Sequence, residues 1–252
     1  MPVAIVTGAS RDRGIGRGIV LALAERGFDV AVNDAAHDEA GARRVAEVEA
    51  LGRRATYVRA DVSQSDENER LVAETVERLG RLDVFVANAG VARWQMLVDV
   101  SPDDWDFVMG VNLHGAFYGC LAAASQMRRQ GNGGSIVVTS SVNAVMPFSA
   151  LGLYGASKHA VGLLVGVMAR EWGEDGIAVN HVGPGWVDSN INDASPDFDS
   201  EVKRAAVRAT IPFRHRPTEP REIGEAVAYL VTSGIVTGAY IRVDGGLVIG
   251  KY

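Results

Sequence analysis

The chain has 252 residues, of which 47% are apolar and 22% charged, with a formal net charge of −6. That acidic balance argues against a nucleic-acid surface, and a chain of this length buries a core large enough to need no covalent staples. The single cysteine, Cys120, excludes an intrachain disulfide and suits a reducing compartment.

No basic segment followed by an apolar one opens the chain, and no apolar run approaches the roughly 18 residues of a membrane helix. The expectation is a cytoplasmic protein with no membrane partner.

Short apolar, β-branched runs alternate with longer stretches of helical period. The first strand is expected at Val3–Val6. TGASRDRGIG follows at 7–16 and merges into a helical pattern over 14–27. Its glycines stand at 8, 14 and 16, a spacing unlike G-x-G-x-x-G. Gly14 and Gly16 permit close approach and positive φ. Backbone N–H groups at the helix start would face a pyrophosphate. Taken alone, an ordinary glycine-rich turn explains the stretch as well.

The second strand, 29–33, runs into Asp34, and a helix is expected over 39–51. The third, 56–59, runs into ADV at 60–62 before a helix over 67–79. The fourth, Val84–Ala87, ends at NAG, 88–90. A long helical stretch over 101–130 starts with Ser101 as N-cap, Pro102 at the first position and Asp104 at the third. It carries Asn112 and Cys120. The fifth strand, 136–139, ends at Ser140 and Ser141. YGASK then places Tyr154 and Lys158 four residues apart on one face at the start of a helix over 156–172. The sixth strand, 177–182, ends at GPGWVDS, 183–189. The stretch 186–217 is irregular, a candidate lid or an ordinary surface loop with one short helix. A helix over 222–231, a last strand at Tyr240–Val243 and VDGG at 243–246 complete the pattern. With no internal repeat or linker, residues 1–252 read as one domain. The alternation predicts an α/β doubly wound, three-layer sandwich with a parallel sheet of about seven strands.

As a set, these motifs resemble the short-chain dehydrogenase/reductase family. They are the glycine loop, NAG at 88–90, Asn112, the spacing from Ser141 to Tyr154 and on to Lys158, and the turn at Pro184 and Gly185. The resemblance covers essentially the whole chain. Asp12 and Arg13 look like a two-residue insertion in the family's T-G-x-x-x-G-x-G loop. The resemblance implies a Rossmann-type fold, an NAD(P)-dependent oxidoreductase acting on CH–OH groups, and a homotetramer. The helices over 101–130 and 156–172 and the C-terminal LVIGKY are candidate interface parts, and ordinary packing within one subunit explains each as well. It places Tyr154 as general acid/base, Ser141 on the substrate oxygen, Lys158 on the nicotinamide ribose and Asn112 behind a water relay. It puts the cofactor against Gly8, Ser10, Arg13, Gly14, Ile15 and Gly16. Asp34, Asp61, Val62, Asn88, Ala89 and Gly90 continue that surface, and Pro184, Gly185, Val187 and Ser189 close it. No metal ligand set is expected.

The chemistry suits these residue types. Transfer of a hydride between a nicotinamide and a carbinol carbon requires a base for the hydroxyl proton. A tyrosine titrates near ~10, too high unaided. An ammonium about 4 Å away contributes ~4 kcal/mol at an effective dielectric of ~20, enough to bring the phenol toward neutrality. Ser140 competes with Ser141 for the serine role, and the spacing to Tyr154 favours Ser141.

Asp34 at the end of the second strand favours NAD by accepting from ribose hydroxyls and repelling a 2′-phosphate. Arg11, Arg13 and His37 argue for NADP. Asp61 could equally cap the next helix. Asn143, Met146, Trp186 and Trp94 are candidates for the substrate wall. Asn143 and His114 hint at a polyol or sugar, although core packing also explains Met146, Trp186 and His114. The alternatives are a 3-oxoacyl reductase acting on an acidic carrier protein and a non-catalytic nucleotide sensor. Arg128 and Arg129 suit the carrier, Glu174 and Asp175 oppose it, and the sensor would not need Tyr154 and Lys158.

Overall fold

The computed structural model describes residues 1–192 and 200–249. Part of the irregular stretch 186–217 and the last three residues of LVIGKY lie outside them. In chain order, β1 (Val3–Val6) leads to α1 (Ile15–Glu25), β2 (Asp29–Asp34) to α2 (Asp38–Ala50), and β3 (Ala55–Arg59) to α3 (Ser65–Leu79). After β4 (Val84–Ala87) come α4 (Pro102–Met109) and α5 (Gly115–Gln130). β5 (Gly134–Thr139) precedes α6 (Gly152–Trp172), and β6 (Ile177–Pro184) precedes α7 (Glu201–Thr210) and α8 (Pro220–Thr232). β7 (Tyr240–Val243) ends the sheet.

All seven strands pair in parallel, in the order β3-β2-β1-β4-β5-β6-β7. Successive side chains of each strand feed opposite faces. Ile5, Phe85 and Ile136 pack with Leu71 of α3, Cys120 and Met127 of α5 and Val161 of α6. Val6, Val86 and Val137 pack with Ile19 and Leu23 of α1, Val48 of α2 and Val227 of α8. The result is the expected three-layer Rossmann-type sandwich. The order reverses between β1 and β4, and the crevice this opens at the strands' carboxyl ends is where such sheets bind ligands.

Several boundaries differ from expectation. β6 runs on to Pro184 because Gly183 and Pro184 pair with Arg242 and Val243 of β7. α6 starts at Gly152, so Tyr154 lies within its first turn. Ser101 does cap α4, accepting from the Asp104 amide at 3.1 Å, with Pro102 at the first helical position. The stretch 101–130 is not one regular helix, however. Gly110–His114 forms a π-turn that joins α4 to α5.

Among the described residues, the run Pro102–Gln130 is long and apolar enough to cross a membrane by length and composition. The expectation that no stretch approached that length therefore fails. Its inner face is packed in the core, where Val108, Cys120, Ala123, Ala124 and Met127 are buried.

Candidate active site

A cleft of about 870 Å³ opens at the carboxyl ends of β1, β2, β4, β5 and β6. Its floor begins with the glycine loop. Gly8 has φ +60°, and a Cβ there would stand 2.7 Å from the Ala89 Cα. Positive φ thus falls at Gly8, and neither Gly14 nor Gly16 adopts it. Gly16 serves close packing instead, since a Cβ on it would meet the Gly8 carbonyl at 2.7 Å. Gly14 takes the N-cap position of α1 with φ −84° and no side-chain cap. The first N–H groups of α1 therefore start at the cleft wall, beside Gly14 and Ile15.

The inserted pair is anchored away from the cleft. Asp12 accepts from Arg43 and from Arg44, a residue of α2 with no exposure. Arg44 also pairs with Glu47, and it donates to the Ser10 carbonyl at 3.3 Å. Arg13 pairs with Asp188 at 2.8 Å, joining the glycine loop to the loop after β6. Neither Arg13 nor Ser10 lines the cleft. Ser10 is buried and donates its hydroxyl to Asp34 Oδ2 at 2.5 Å. Asp34 itself lines the cleft at the end of β2, beside Arg11 and His37. Asp61 and Val62 line it from the end of β3, where Asp61 accepts from the Ser63 amide at 3.0 Å in a turn before α3.

Asn88, Ala89 and Gly90 follow β4. Thr7 Oγ1 accepts from the amides of both Asn88 and Ala89 at 3.0 Å, and Asn88 Nδ2 donates back to the Thr7 carbonyl at 2.9 Å. These bonds tie the first and fourth loops into one base. Asn112 lies behind it, fully buried in the π-turn. It accepts from Val91 N at 2.8 Å and donates to Val91 O at 2.9 Å and Ser157 Oγ at 3.0 Å. Gly90 leaves room at this point, because a Cβ there would stand 3.3 Å from Lys158 Nζ and 3.4 Å from Asn112 Oδ1.

Ser141, Tyr154 and Lys158 all line the cleft. Ser140 also lines the cleft, but its hydroxyl donates to the Lys158 carbonyl at 3.2 Å, which leaves the Ser141 hydroxyl for the site. Ser141 Oγ accepts from the Asn143 amide at 3.1 Å. Its own proton is thus free for Tyr154. Lys158 Nζ is buried, donates to the Thr139 carbonyl at 2.9 Å and stands 5.8 Å from the centre of the Tyr154 ring. Burial pushes the ammonium down to about 8. Burial also holds the Tyr154 phenol above its ordinary value, and the hydrogen bond from Ser141 pulls it back. The expected lowering toward neutrality does not occur in this geometry, because desolvation outweighs the stabilisation of the phenolate.

Pro184, Gly185, Val187 and Ser189 line the far wall after β6. Ser189 Oγ is buried there with no hydrogen-bond partner among the described residues. Trp186 stacks on Trp94 with centroids 6.2 Å apart and planes 10° apart, and it meets Phe148 edge-on at 5.9 Å. The contribution of Phe148 was not foreseen from the sequence. Trp94 Nε1 is also buried with no hydrogen-bond partner among the described residues. Asn143 lines the cleft, but its Nδ2 is committed to the Leu151 carbonyl at 3.2 Å. His114 lines the cleft, whereas Met146 does not.

These features fit a dinucleotide. The glycine loop makes a side-chain-free cradle at a helix start, Asp34 is an acceptor one strand away, and Ser189 offers an unspent hydroxyl on the opposite wall.

A family described as enoyl-(acyl carrier protein) reductase matches residues 8–248. L-rhamnose 1-dehydrogenase (NAD(P)(+)) of a Sphingomonas species is 38% identical over 247 residues, covering 97% of this chain and 95% of that protein. A 3-oxoacyl-(acyl-carrier-protein) reductase of Staphylococcus aureus is 39% identical over 247 residues, covering 97% of each. The crystal structure of carveol dehydrogenase from Mycobacterium avium in complex with NAD matches with a TM-score of 0.92 at 30% identity, over 98% of both chains. With the fold, the cleft and these relatives in agreement, the chain belongs to the short-chain dehydrogenase/reductase family of NAD(P)-dependent oxidoreductases.

Proposed function

We propose that the chain oxidises a small secondary alcohol, a sugar or polyol among them, to the ketone with NAD⁺, and runs the reverse reduction. Tyr154, Ser141, Lys158 and Asn112 are the acting groups. The observation that carries this reading is the meeting of Ser141, Tyr154 and Lys158 on one cleft with the glycine cradle. When bound, the nicotinamide accepts or returns the hydride. Tyr154 takes the hydroxyl proton and gives it back in reduction. Ser141, its oxygen already accepting from Asn143, donates to the reacting oxygen and steadies its charge. Lys158 holds the ribose and adds positive charge behind the phenol. Asn112 holds the Val91 backbone beside them.

Gly8, Gly14, Ile15, Asn88, Ala89, Gly90, Pro184, Gly185, Val187 and Ser189 would hold the cofactor, with Asp61 and Val62 at the adenine end. Asp34 supports NAD, since its carboxylate would repel a 2′-phosphate. Arg13 pairs with Asp188, which competes with a 2′-phosphate for it and weakens one argument for NADP. Arg11 and His37 still flank the site, so NADP is the second cofactor to test.

An acyl-carrier-protein substrate is less favoured. Arg128, one of the two arginines that suit such a partner, is paired with Asp175 at 2.6 Å. A homotetramer in the cytoplasm completes the reading. It is supported by exposed apolar side chains on the long helices, Trp105 and Phe107 on α4, Leu121 on α5, and Leu163 and Val167 on α6.

The test is a panel of polyols, sugars, secondary alcohols and a β-hydroxyacyl thioester with NAD⁺ and NADP⁺, reading reduced cofactor, with Tyr154→Phe as blank. Tyr154-dependent turnover of a small carbinol with NAD⁺ supports the reading. Turnover confined to the thioester with NADP⁺ replaces it. Cofactor binding without turnover of any member points to a nucleotide sensor.

A further inference from the structure

Tyr240 on β7 reaches across β6 to the active-site loop. Its hydroxyl donates to the Ser141 carbonyl at 2.8 Å, although β6 lies between β7 and β5 in the sheet. The crossing depends on Gly183. A Cβ at that position would lie 2.2 Å from the Tyr240 hydroxyl. His181 is two residues earlier on the same face of β6 and in register with Tyr240. Its ring stacks on the tyrosine with centroids 4.4 Å apart and planes 22° apart. His181 in turn lies against α6, where a Cβ on Gly162 would stand 3.2 Å from its Cε1. Burial pushes the His181 ring down to about 4, so the stack carries no charge near neutral pH. Burial pushes the Tyr240 phenol up to about 12, so the hydroxyl keeps its proton and remains a donor.

Ser141 needs such support. It is the first residue beyond Ser140 at the end of β5, and its backbone is extended before a short 3₁₀ turn, Val142–Ala144. The Ala144 amide reaches the Ser141 carbonyl from within that turn at 3.0 Å. Tyr240 supplies the bond that ties the same carbonyl to the sheet. We infer that Tyr240 is a positioning residue for the reaction, fixing the Ser141 backbone so that the Ser141 hydroxyl stays aimed at Tyr154 and the reacting oxygen. Gly183 clears its path, and His181 props its ring. The inference rests on the reading of Ser141 and Tyr154 as the acid–base pair.

Among the described residues, Lys158 from α6, Tyr240 from β7 and the Ser141 hydroxyl from the end of β5 face Tyr154, with neutral His181 behind Tyr240 on β6 and the charges of Arg242 and Asp244 acting on Tyr240 from its own side. Tyr240→Phe keeps the ring and the stack and removes one hydrogen bond. It is expected to lower kcat about threefold to tenfold, the range of a single neutral hydrogen bond. KM for the alcohol and cofactor affinity stay unchanged. The phenolate titration of Tyr154, read by ultraviolet difference absorbance against Tyr154→Phe, shifts to higher pH, because a loosened Ser141 stabilises the phenolate less. Gly183→Ala displaces the Tyr240 hydroxyl and gives the same signature. The double variant loses no more kcat than either single one. His181→Phe retains the stack and leaves the titration in place.

Wild-type kcat and an unmoved titration in Tyr240→Phe would overturn the inference, even if the variant melted earlier. If the wild type turned over no carbinol while the titration still shifted, the dehydrogenase reading would fail. The coupling from Tyr240 through Ser141 to Tyr154 would stand.

Discussion

Arg44, a guanidinium with no solvent exposure, holds the Asp12 carboxylate of the glycine loop at 2.9 Å. The insertion that lengthens the loop is thus fastened to α2, on the outer side of the cradle. Arg44→Met removes the anchor and leaves Glu47 without its buried partner. Denaturant unfolding is expected to show a loss of about 2 to 3 kcal/mol. Cofactor titration of the folded variant should show weaker binding. Unaltered affinity would mean the cradle keeps its shape without the insertion's anchor.

Asp34 is held by Ser10 at 2.5 Å on one oxygen, and it lines the cleft. Asp34→Ser removes the charge proposed to repel a 2′-phosphate. The expected result is a fall in kcat/KM with NAD⁺ of about tenfold to a hundredfold, the range of hydrogen bonds to a charged group. Activity with NADP⁺ should rise. A preference ratio that does not change would place cofactor choice elsewhere, with Arg11 and His37 the next residues to test.

The buried ammonium of Lys158 gives the protein a signature in alkaline stability. Its folded value is about 8, against an ordinary 10.5. Below the folded value the lysine is charged in both states, and the full cost of burying that charge is present. Between the two values the unfolded chain binds more protons than the folded one. Stability from this residue therefore rises as pH rises from about 8 to 10.5, by roughly 3 kcal/mol. Denaturant midpoints of the cofactor-free protein and of Lys158→Met, taken across this window, check it. The wild type should gain on the variant with rising pH. A constant difference would mean the ammonium is solvated.

The stacked pair of Trp94 and Trp186 lines the cleft at its proposed substrate end. Trp186→Ala removes a large aromatic surface and the edge contact with Phe148. KM for the alcohol is expected to rise about tenfold, with cofactor affinity retained. If kcat fell while KM held, Trp186 would be supporting the reacting groups instead of the rest of the substrate.

Much of this molecule is legible in its sequence, for identifiable reasons. β1 and β4 are completely buried parallel strands, so they read as unbroken apolar runs between turn residues. Tyr154 and Lys158 are one helical turn apart, and local spacing places them together. The end of β6 is different. Gly183 and Pro184 carry no strand signal, and pairing with Arg242 and Val243 of β7 makes them part of the strand. The roles of Arg44 and Tyr240 are equally hidden. Arg44 meets Asp12 across 32 positions, and Tyr240 meets Ser141 across 99. Contacts over such separations leave no local periodicity. Met146 shows the opposite error, since its nearness to Ser141 in the chain did not bring it to the cleft. The phenol of Tyr154 was misjudged because an ion pair can be guessed from spacing, whereas desolvation depends on everything packed around the group.

The π-turn at Gly110–His114 has a last consequence. Such a turn absorbs one residue more than a regular helix would use, while the helical segments on either side stay in phase. Shortening 110–114 by one residue would let the stretch close into ordinary helix, with Val108 and Met127 still turned to the core. Asn112 would lose the offset that brings its amide to Val91. Here the protein carries a removable increment of chain length. Its loss is expected to spare the architecture and to break the Asn112–Val91 bonds beside the proposed site, so fold and site geometry can be edited separately at this point.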